Sequence, residues 1–587
     1  FKDFSFQYKS QKKPTLHHIN LEIKEGEKVL IVGPSGSGKS TLGHCINGLI
    51  PFAYPGKKEG KLFIKENDSE KLDIFSSSKL VGTVMQDADS QFVGLNVGED
   101  IAFSLENNAV DTDKMHEIVK KVANLVGMGE FLEQSPLELS GGQKQDVCMA
   151  GVMVDEAPIL LFDEPLANLD HATGKLVIEL IDEINKTQNK TIIIIEHRLE
   201  DVLHRPVDRI VLVNNGEILA DCKPEELFAT TLLEDNGIRL PLYVQAMKYA
   251  DVDLSKVKNL ADDTDYDLQD QKDKLVHWYS TNKTDVKKKE SAPLLTIKDL
   301  CFSYDGVKPI LDHVSLDVHQ GEMISVVGKN GAGKSTLCKC ICAFEKADAG
   351  TLTFENTDMN DLSVKERADR IGFVLQNPNQ MICNTMIFDE VAMGLRNRGI
   401  SEDKIKEKVE NTLKICGLYP FRNWPISALS YGQKKRVTIA SILALEPKMI
   451  ILDEPTAGQD YRRYSEIMEF LKSLNEMGIA IVMITHDMHL MLEYTTRSVV
   501  LTGGKKIADA TPSEVLGNEA LIERANLKKT SLSTLASKAG IEDRIAFIDT
   551  FIQHVFLFTA RYIHSSFIWF DKTDQFPVSI LCGHVDI

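Results

Sequence analysis

The chain carries one set of short motifs twice, in the same order, and that excludes any fold in which its 587 residues form a single unit. Gly33-Pro-Ser-Gly-Ser-Gly-Lys-Ser-Thr41 returns 295 residues later as Gly328-Lys-Asn-Gly-Ala-Gly-Lys-Ser-Thr336. Leu139-Ser-Gly-Gly-Gln143 returns after 290 residues as Leu429-Ser-Tyr-Gly-Gln433, and Asp163-Glu164-Pro165 after the same interval as Asp453-Glu454-Pro455. His197, which follows an isoleucine run, is matched 289 residues on by His486. Four motifs at nearly one offset mark a tandem duplication. The first copy is expected over 1–240 and the second over 293–528, with a linker or insertion at 241–292 and a C-terminal extension of uncertain structure at 529–587.

Each copy reads as strands alternating with helices. Val29-Leu-Ile-Val enters a glycine loop, and a helix follows from Lys39. Ile159-Leu-Leu-Phe and Ile192-Ile-Ile-Ile are further strands, repeated by Met449-Ile-Ile-Leu and Ile481-Val-Met-Ile. Runs that are apolar throughout, rather than alternating, suit a sheet covered on both faces. The expected class is therefore α/β: two tandem units, each built on a largely parallel sheet.

The glycine loops have the GxxxxGK[ST] form between strand and helix. That form cradles phosphate, because glycines let successive backbone N–H groups face one anion and the helix N-terminus adds positive potential. The candidate nucleotide-binding residues are Gly33, Pro34, Ser35, Gly36, Ser37, Gly38, Lys39, Ser40 and Thr41 in the first copy. In the second they are Gly328, Lys329, Asn330, Gly331, Ala332, Gly333, Lys334, Ser335 and Thr336. Lys39 and Lys334 reach β/γ-phosphates, while Ser40 and Ser335 offer a hydroxyl to Mg2+. Asp163 and Asp453 each close an apolar strand, where a carboxylate holds the metal's shell, and the following Glu164 and Glu454 are placed to take a proton from an attacking water. ATP and Mg2+ are the expected cofactors.

With Leu-Ser-Gly-Gly-Gln and its twin in hand, the chain resembles the nucleotide-binding domain of ABC transporters over most of its length. The resemblance implies further roles at matching positions. Tyr8 and Tyr304 correspond to the aromatic residue that stacks on adenine, and Gln86 and Gln376 to the Q-loop glutamine that touches metal and water. Asp170 and Asp460 correspond to the D-loop aspartate, His197 and His486 to the switch histidine at the γ-phosphate. In this family two domains close face to face, so Lys39 should share a site with Ser430, Gly432 and Gln433, and Lys334 with Ser140, Gly142 and Gln143. One chain carrying both halves raises their effective concentration and fixes the pairing. The copies depart from the pattern at Tyr431, in place of the first signature glycine, and at Asp146, where the second copy keeps Arg436. His171 follows Asp170 where proline is usual, and Gln459 precedes Asp460 where leucine is usual. Asp146 reverses a charge beside a phosphate-facing helix, which implies unequal sites.

After each Q-loop glutamine the chain reads Gln86-Asp-Ala-Asp-Ser-Gln and Gln376-Asn-Pro-Asn-Gln, followed by Gly98-Glu-Asp-Ile-Ala-Phe103 and Asp389-Glu-Val-Ala-Met-Gly394. These segments are similar to the ATPases of energy-coupling factor and cobalt importers. That resemblance implies a transmembrane coupling subunit and a small substrate-binding membrane subunit as partners, a peripheral place on the cytoplasmic face of the membrane, and a vitamin, vitamin precursor or transition-metal ion as cargo. A ribosome-associated twin-ABC protein of the ABC-F type is the alternative. Those proteins carry a long charged helical arm between domains, whereas the linker here is acidic in its first part.

Nucleic acid is not expected as a partner: the net charge is −19 and the pI near 5.3. Lys287-Lys288-Lys289 reads as a solvated linker. Cys338, Cys340 and Cys342 lack a second ligand cluster and read as small buried side chains, and cysteine usage fits a reducing compartment. Phe551–Phe570, the nearest thing to a membrane span, is interrupted by His554, Arg561 and His564. Phe1 enters a strand-like segment without an initiator Met, so the natural N-terminus is expected upstream.

Overall fold

A computed structural model describes the whole chain except residues 87–90, 140, 155–156, 168, 170, 284–291, 457–458 and 568–587; at 141, 171–172 and 556–567 it describes the backbone alone. Each copy contains a six-stranded sheet of the same topology. In the first, the strands lie in the order Glu217–Cys222, Arg209–Asn214, Lys28–Val32, Thr191–Ile195, Ile159–Asp163, Val81–Val84. All neighbours are parallel except the edge pair Arg209–Asn214 and Glu217–Cys222. The second sheet repeats this with Lys505–Ala510, Arg497–Thr502, Met323–Val327, Ala480–Ile484, Met449–Asp453 and Ile371–Val374.

The central strands Lys28–Val32, Thr191–Ile195, Met323–Val327 and Ala480–Ile484 are buried at every residue. Their largely apolar runs, interrupted in the second copy by a buried Ser325, suit a parallel sheet covered on both faces. An antiparallel sheet flanks each copy, built on Lys2–Tyr8 in the first and Pro293–Phe302 in the second. Cys338, Cys340 and Cys342 are buried in and just after helix Lys334–Ile341, and burial pushes the thiols of Cys340 and Cys342 up to about 12.

The linker and the C-terminal extension, two separate segments in sequence, pack together. Helix Leu242–Tyr249, which the apolar run after Pro241 foreshadows, lies against helix Ser531–Ala539. Helix Lys272–Asn282 lies against Ser531–Ala539 and against Arg544–Phe567. Tyr243 is fully buried, stacks on Tyr266 at 5.0 Å and donates its hydroxyl to the Leu260 carbonyl at 2.6 Å. Trp278 meets Phe547 edge-on at 6.1 Å. One continuous apolar cluster runs from Leu30 and Val32 of the first sheet, through Tyr243, Met247, Leu535 and Phe547, to Val327 and Val500 of the second. The C-terminal extension, whose structure the sequence leaves uncertain, forms helices Ser531–Ala539 and Arg544–Phe567; the aromatic end beyond Phe567 lies outside the described residues. Among the described residues no helix is long and apolar enough to cross a membrane.

Candidate functional site

In each copy the phosphate loop turns from the central strand into a helix, Lys39–Ile46 or Lys334–Ile341. The glycine before the lysine has a left-handed backbone, φ 109° at Gly38 and 98° at Gly333, which a side chain would strain. Gly33 and Gly328 have no room for a Cβ, which would fall 2.1 Å from the Val213 or Leu501 carbonyl oxygen. Lys39 donates to the carbonyls of Gly33 at 2.7 Å and Pro34 at 3.0 Å, and Lys334 to those of Gly328 and Lys329 at the same distances. Burial lowers the Lys39 ammonium's pKa, opposed by Glu164, Asp163 and Asp460. Each loop thus holds a cation folded onto its own carbonyls.

The acid pairs sit where their strands end. Ser335 donates to Asp453 at 3.3 Å, and Ser40 hydrogen-bonds Asp163. Burial pushes the Asp163 carboxyl up to about 6, and its Oδ1 is buried without a hydrogen-bond partner. A hydroxyl beside a carboxylate with an unspent oxygen is a hard-oxygen donor set, which suits Mg2+. Glu164 and Glu454 both have left-handed φ, 51° and 44°, and donate their N–H across the sheet to Ile195 at 2.8 Å and Ile484 at 3.0 Å. A non-glycine residue held in that region twice, at equivalent positions, is strain retained by the surroundings. Gln86 donates its side-chain amide to Glu164 at 2.5 Å. His486 Nε2 is 3.0 Å from Glu454, and His197 Nδ1 is 3.8 Å from Glu164. Burial is the main cause that pushes Glu454 up to about 8.

The Tyr8 hydroxyl lies 3.1 Å from Thr41 Oγ1 and that of Tyr304 3.4 Å from Thr336 Oγ1, so each tyrosine stands at its own phosphate-loop helix. Across the copies, Asp460 accepts from the Ser35 N–H at 3.0 Å, which brings the second D-loop onto the first phosphate loop. Ser430 is exposed and caps its own helix in a reciprocal pair with Gln433; no hydrogen bond takes it to the Lys39 loop. A Cβ at Gly142 would lie 2.5 Å from Thr173 Cγ2, so glycine is required there. Gln143 lies in helix Gly141–Met153. Ser140 and Asp170 fall outside the described residues. A cavity of about 780 Å³ opens between the copies, and Tyr304, the Lys334 loop, Glu454, His486 and Gln376 face it. Gln86, His197 and Arg198 face it from the first copy, while Gly142 and Gln143 do not line it.

Three features escape a motif reading. Glu196 is fully buried and accepts from the N–H groups of Leu166, His197 and Arg198 at 3.3, 2.8 and 3.2 Å, so it shapes the switch segment from inside. Its signal is an acid closing an isoleucine strand. In the second copy Tyr431 and Lys435 both donate to the Gln376 carbonyl, at 3.2 and 2.7 Å, tying the signature helix to its own Q-loop. The first copy has Gly141 and Gln145 there. Arg239 pairs with Glu493 and lies over the rings of Tyr461 and Tyr464, at 4.5 and 4.9 Å, clamping the end of the first copy to the helix after Asp460.

With this geometry established, comparison with known proteins gives a consistent result. The family profile described as ABC transporter matches residues 16–167 and 311–457, and one described as ATP-binding cassette cobalt transporter matches 230–302. A candidate ABC transporter ATP-binding protein of Clostridium perfringens is 56% identical over 94% of this chain and 97% of its own length. Candidates of the same description from Lactobacillus johnsonii and Vibrio parahaemolyticus are 54% and 52% identical, each over 94% of this chain and 96% of their own length.

Proposed function

The chain belongs to the ABC transporter ATP-binding proteins and is an ATPase, and from that premise we propose that it powers a membrane importer of the energy-coupling factor type, whose cargo is a vitamin, a vitamin precursor or a transition-metal ion. The observation that carries this reading is the match of residues 230–302 to the cobalt-transporter family, since Tyr243, Met247, Leu275 and Trp278 in that stretch belong to the apolar cluster that reaches both copies. The ribosome-associated alternative loses ground because the linker from Leu242 to Asn282 is packed against the C-terminal helices and forms no projecting arm.

Mg2+, when bound, neutralises phosphate charge; Ser40, Asp163 and Gln86 would hold it in one copy and Ser335, Asp453 and Gln376 in the other. The phosphate-loop amides and lysines bind and orient the triphosphate. Glu164 and Glu454 take the proton of the attacking water, and His197 and His486 meet the γ-phosphate. Closure of the copies completes each site with the partner's signature motif, and release reopens them; that swing drives the coupling subunit.

In such a closed pair Asp146 belongs to the site built on Lys334. Asp146→Arg is expected to tighten ATP binding at that site by roughly two- to five-fold, the range of a single partly exposed ion pair. Nucleotide titration of the variant checks this, and unchanged affinity and turnover would remove the inequality of the sites. The importer reading is tested by affinity capture of the tagged chain from native membranes in mild detergent. Small hydrophobic membrane subunits in the eluate are the expected result, whereas co-purifying ribosomes would replace the importer with the alternative.

A further inference from the structure

The second copy's flanking sheet carries a cluster that the ATPase does not use. Strands Pro293–Phe302 and Leu311–His319 pair with breaks in register on both sides of Leu300, and Asp299 and His313 each take a left-handed φ of 51°. Bulges of this kind re-aim side chains away from the regular ladder. Here they gather Cys301 Sγ, an Asp312 carboxylate oxygen and a His313 ring nitrogen within 4.8 Å of one another. His313 lies between two carboxylates: Nε2 is 4.0 Å from Asp312 Oδ1, and Nδ1 is 3.9 Å from Asp299 Oδ1. The other Asp312 oxygen, Oδ2, pairs with Lys505 at 3.1 Å, which leaves Oδ1 toward the histidine.

The duplication supplies an internal control. The first copy has the same bulged scaffold, with φ 46° at Asp3 and 48° at His18 and an Asp3–His18 pair at 2.7 Å. There the positions of Cys301 and Asp312 are taken by Ser5 and His17. The aspartate–histidine pair is therefore a property of the scaffold, and the second copy adds the Cys301 thiol, which accepts the His313 backbone N–H at 3.4 Å, and the Asp312 carboxylate on the Nε2 side of the ring.

We infer that Cys301, Asp312 and His313 form a binding site for a transition-metal dication, with His313 bound through Nε2 and its Nδ1–H held by Asp299. Thiolate, imidazole and carboxylate together select Zn2+- or Co2+-like ions over Mg2+ or Ca2+. A ligating histidine whose other nitrogen donates to a carboxylate is the arrangement that fixes tautomer and ring orientation at metal sites. Three protein ligands leave one tetrahedral position for water. Bound metal would draw these ligand atoms in to distances of about 2.0–2.3 Å. Binding forms the metal–sulfur bond and releases the Cys301 thiol proton to solvent.

The test is titration of the full-length chain with Co2+ in saturating Mg2+, read by the near-ultraviolet thiolate-to-cobalt charge-transfer band. One equivalent should develop the band. Cys301→Ser, which copies the first repeat, should abolish it and leave ATP hydrolysis unchanged; Cys383→Ser, at an exposed cysteine outside the cluster, should leave it intact. Asp299→Asn should keep the band but weaken Co2+ binding by roughly 10–100-fold, the usual cost of losing such a partner. Absence of the band in the unaltered chain, or its survival in Cys301→Ser, overturns the assignment.

Discussion

Replacing both Glu164 and Glu454 by Gln is expected to lower ATP hydrolysis by roughly 10²–10⁴-fold, the contribution of a general base, while ATP stays bound. Glutamine keeps the shape and the hydrogen bonds that Gln86 and His486 offer, so the binding apparatus survives and proton removal does not. Phosphate release and co-elution of ATP with the protein measure the two effects separately. A double variant that hydrolyses ATP within about tenfold of the parent would take the base role away from these residues. The single variant Glu164→Gln leaves the second copy's base in place, and that base is unusual: burial holds Glu454 protonated up to about 8. A base acts only when ionised, and kcat/KM reports groups in the free enzyme. In Glu164→Gln, kcat/KM should therefore climb with pH until it passes about 8. A profile already flat well below that value would mean another group accepts the proton.

The second large effect is on stability. Phe547→Ala should destabilise the body that joins the copies by about 3–5 kcal/mol, the range for emptying a buried aromatic position. Phe547 is fully buried, with Trp278 6.1 Å and Tyr279 5.9 Å from its ring. Urea unfolding followed by tryptophan emission reads the change, because Trp278 lies in that contact. A loss below about 1 kcal/mol would mean the site collapses without leaving a cavity.

The phosphate loops and acid pairs can be picked out along the chain because their pattern is local, a fixed loop between strand and helix and a carboxylate at a strand end, whereas His197 and His486 are matched by resemblance. The class follows from apolar runs such as Ile192-Ile-Ile-Ile195. The joining body was not legible. Leu242, Tyr243 and Met247 announce a buried face, but nothing in a single amphipathic segment says that its cover is Leu532 and Leu535, nearly three hundred residues away. Glu196 escapes a sequence reading because an acid after an apolar run resembles a solvated strand end, and only the three N–H groups around it reveal a buried acceptor. Tyr431 was visible as a departure from the signature pattern, yet its meaning depends on the Gln376 carbonyl, which the fold brings to its hydroxyl. Asp460 was assigned by resemblance alone; its contact with Ser35 depends on how the copies pack.

The shared cluster that runs through Tyr243, Leu535 and Phe547 makes the covalent connection between the copies redundant for cohesion. A protease cut at Lys287-Lys288-Lys289 would yield two fragments that each end in part of one buried interface. Such fragments are expected to stay paired through that shared cluster, and size-exclusion chromatography after cleavage checks it. Two separate genes could therefore encode the same machine, provided each polypeptide kept its share of that interface.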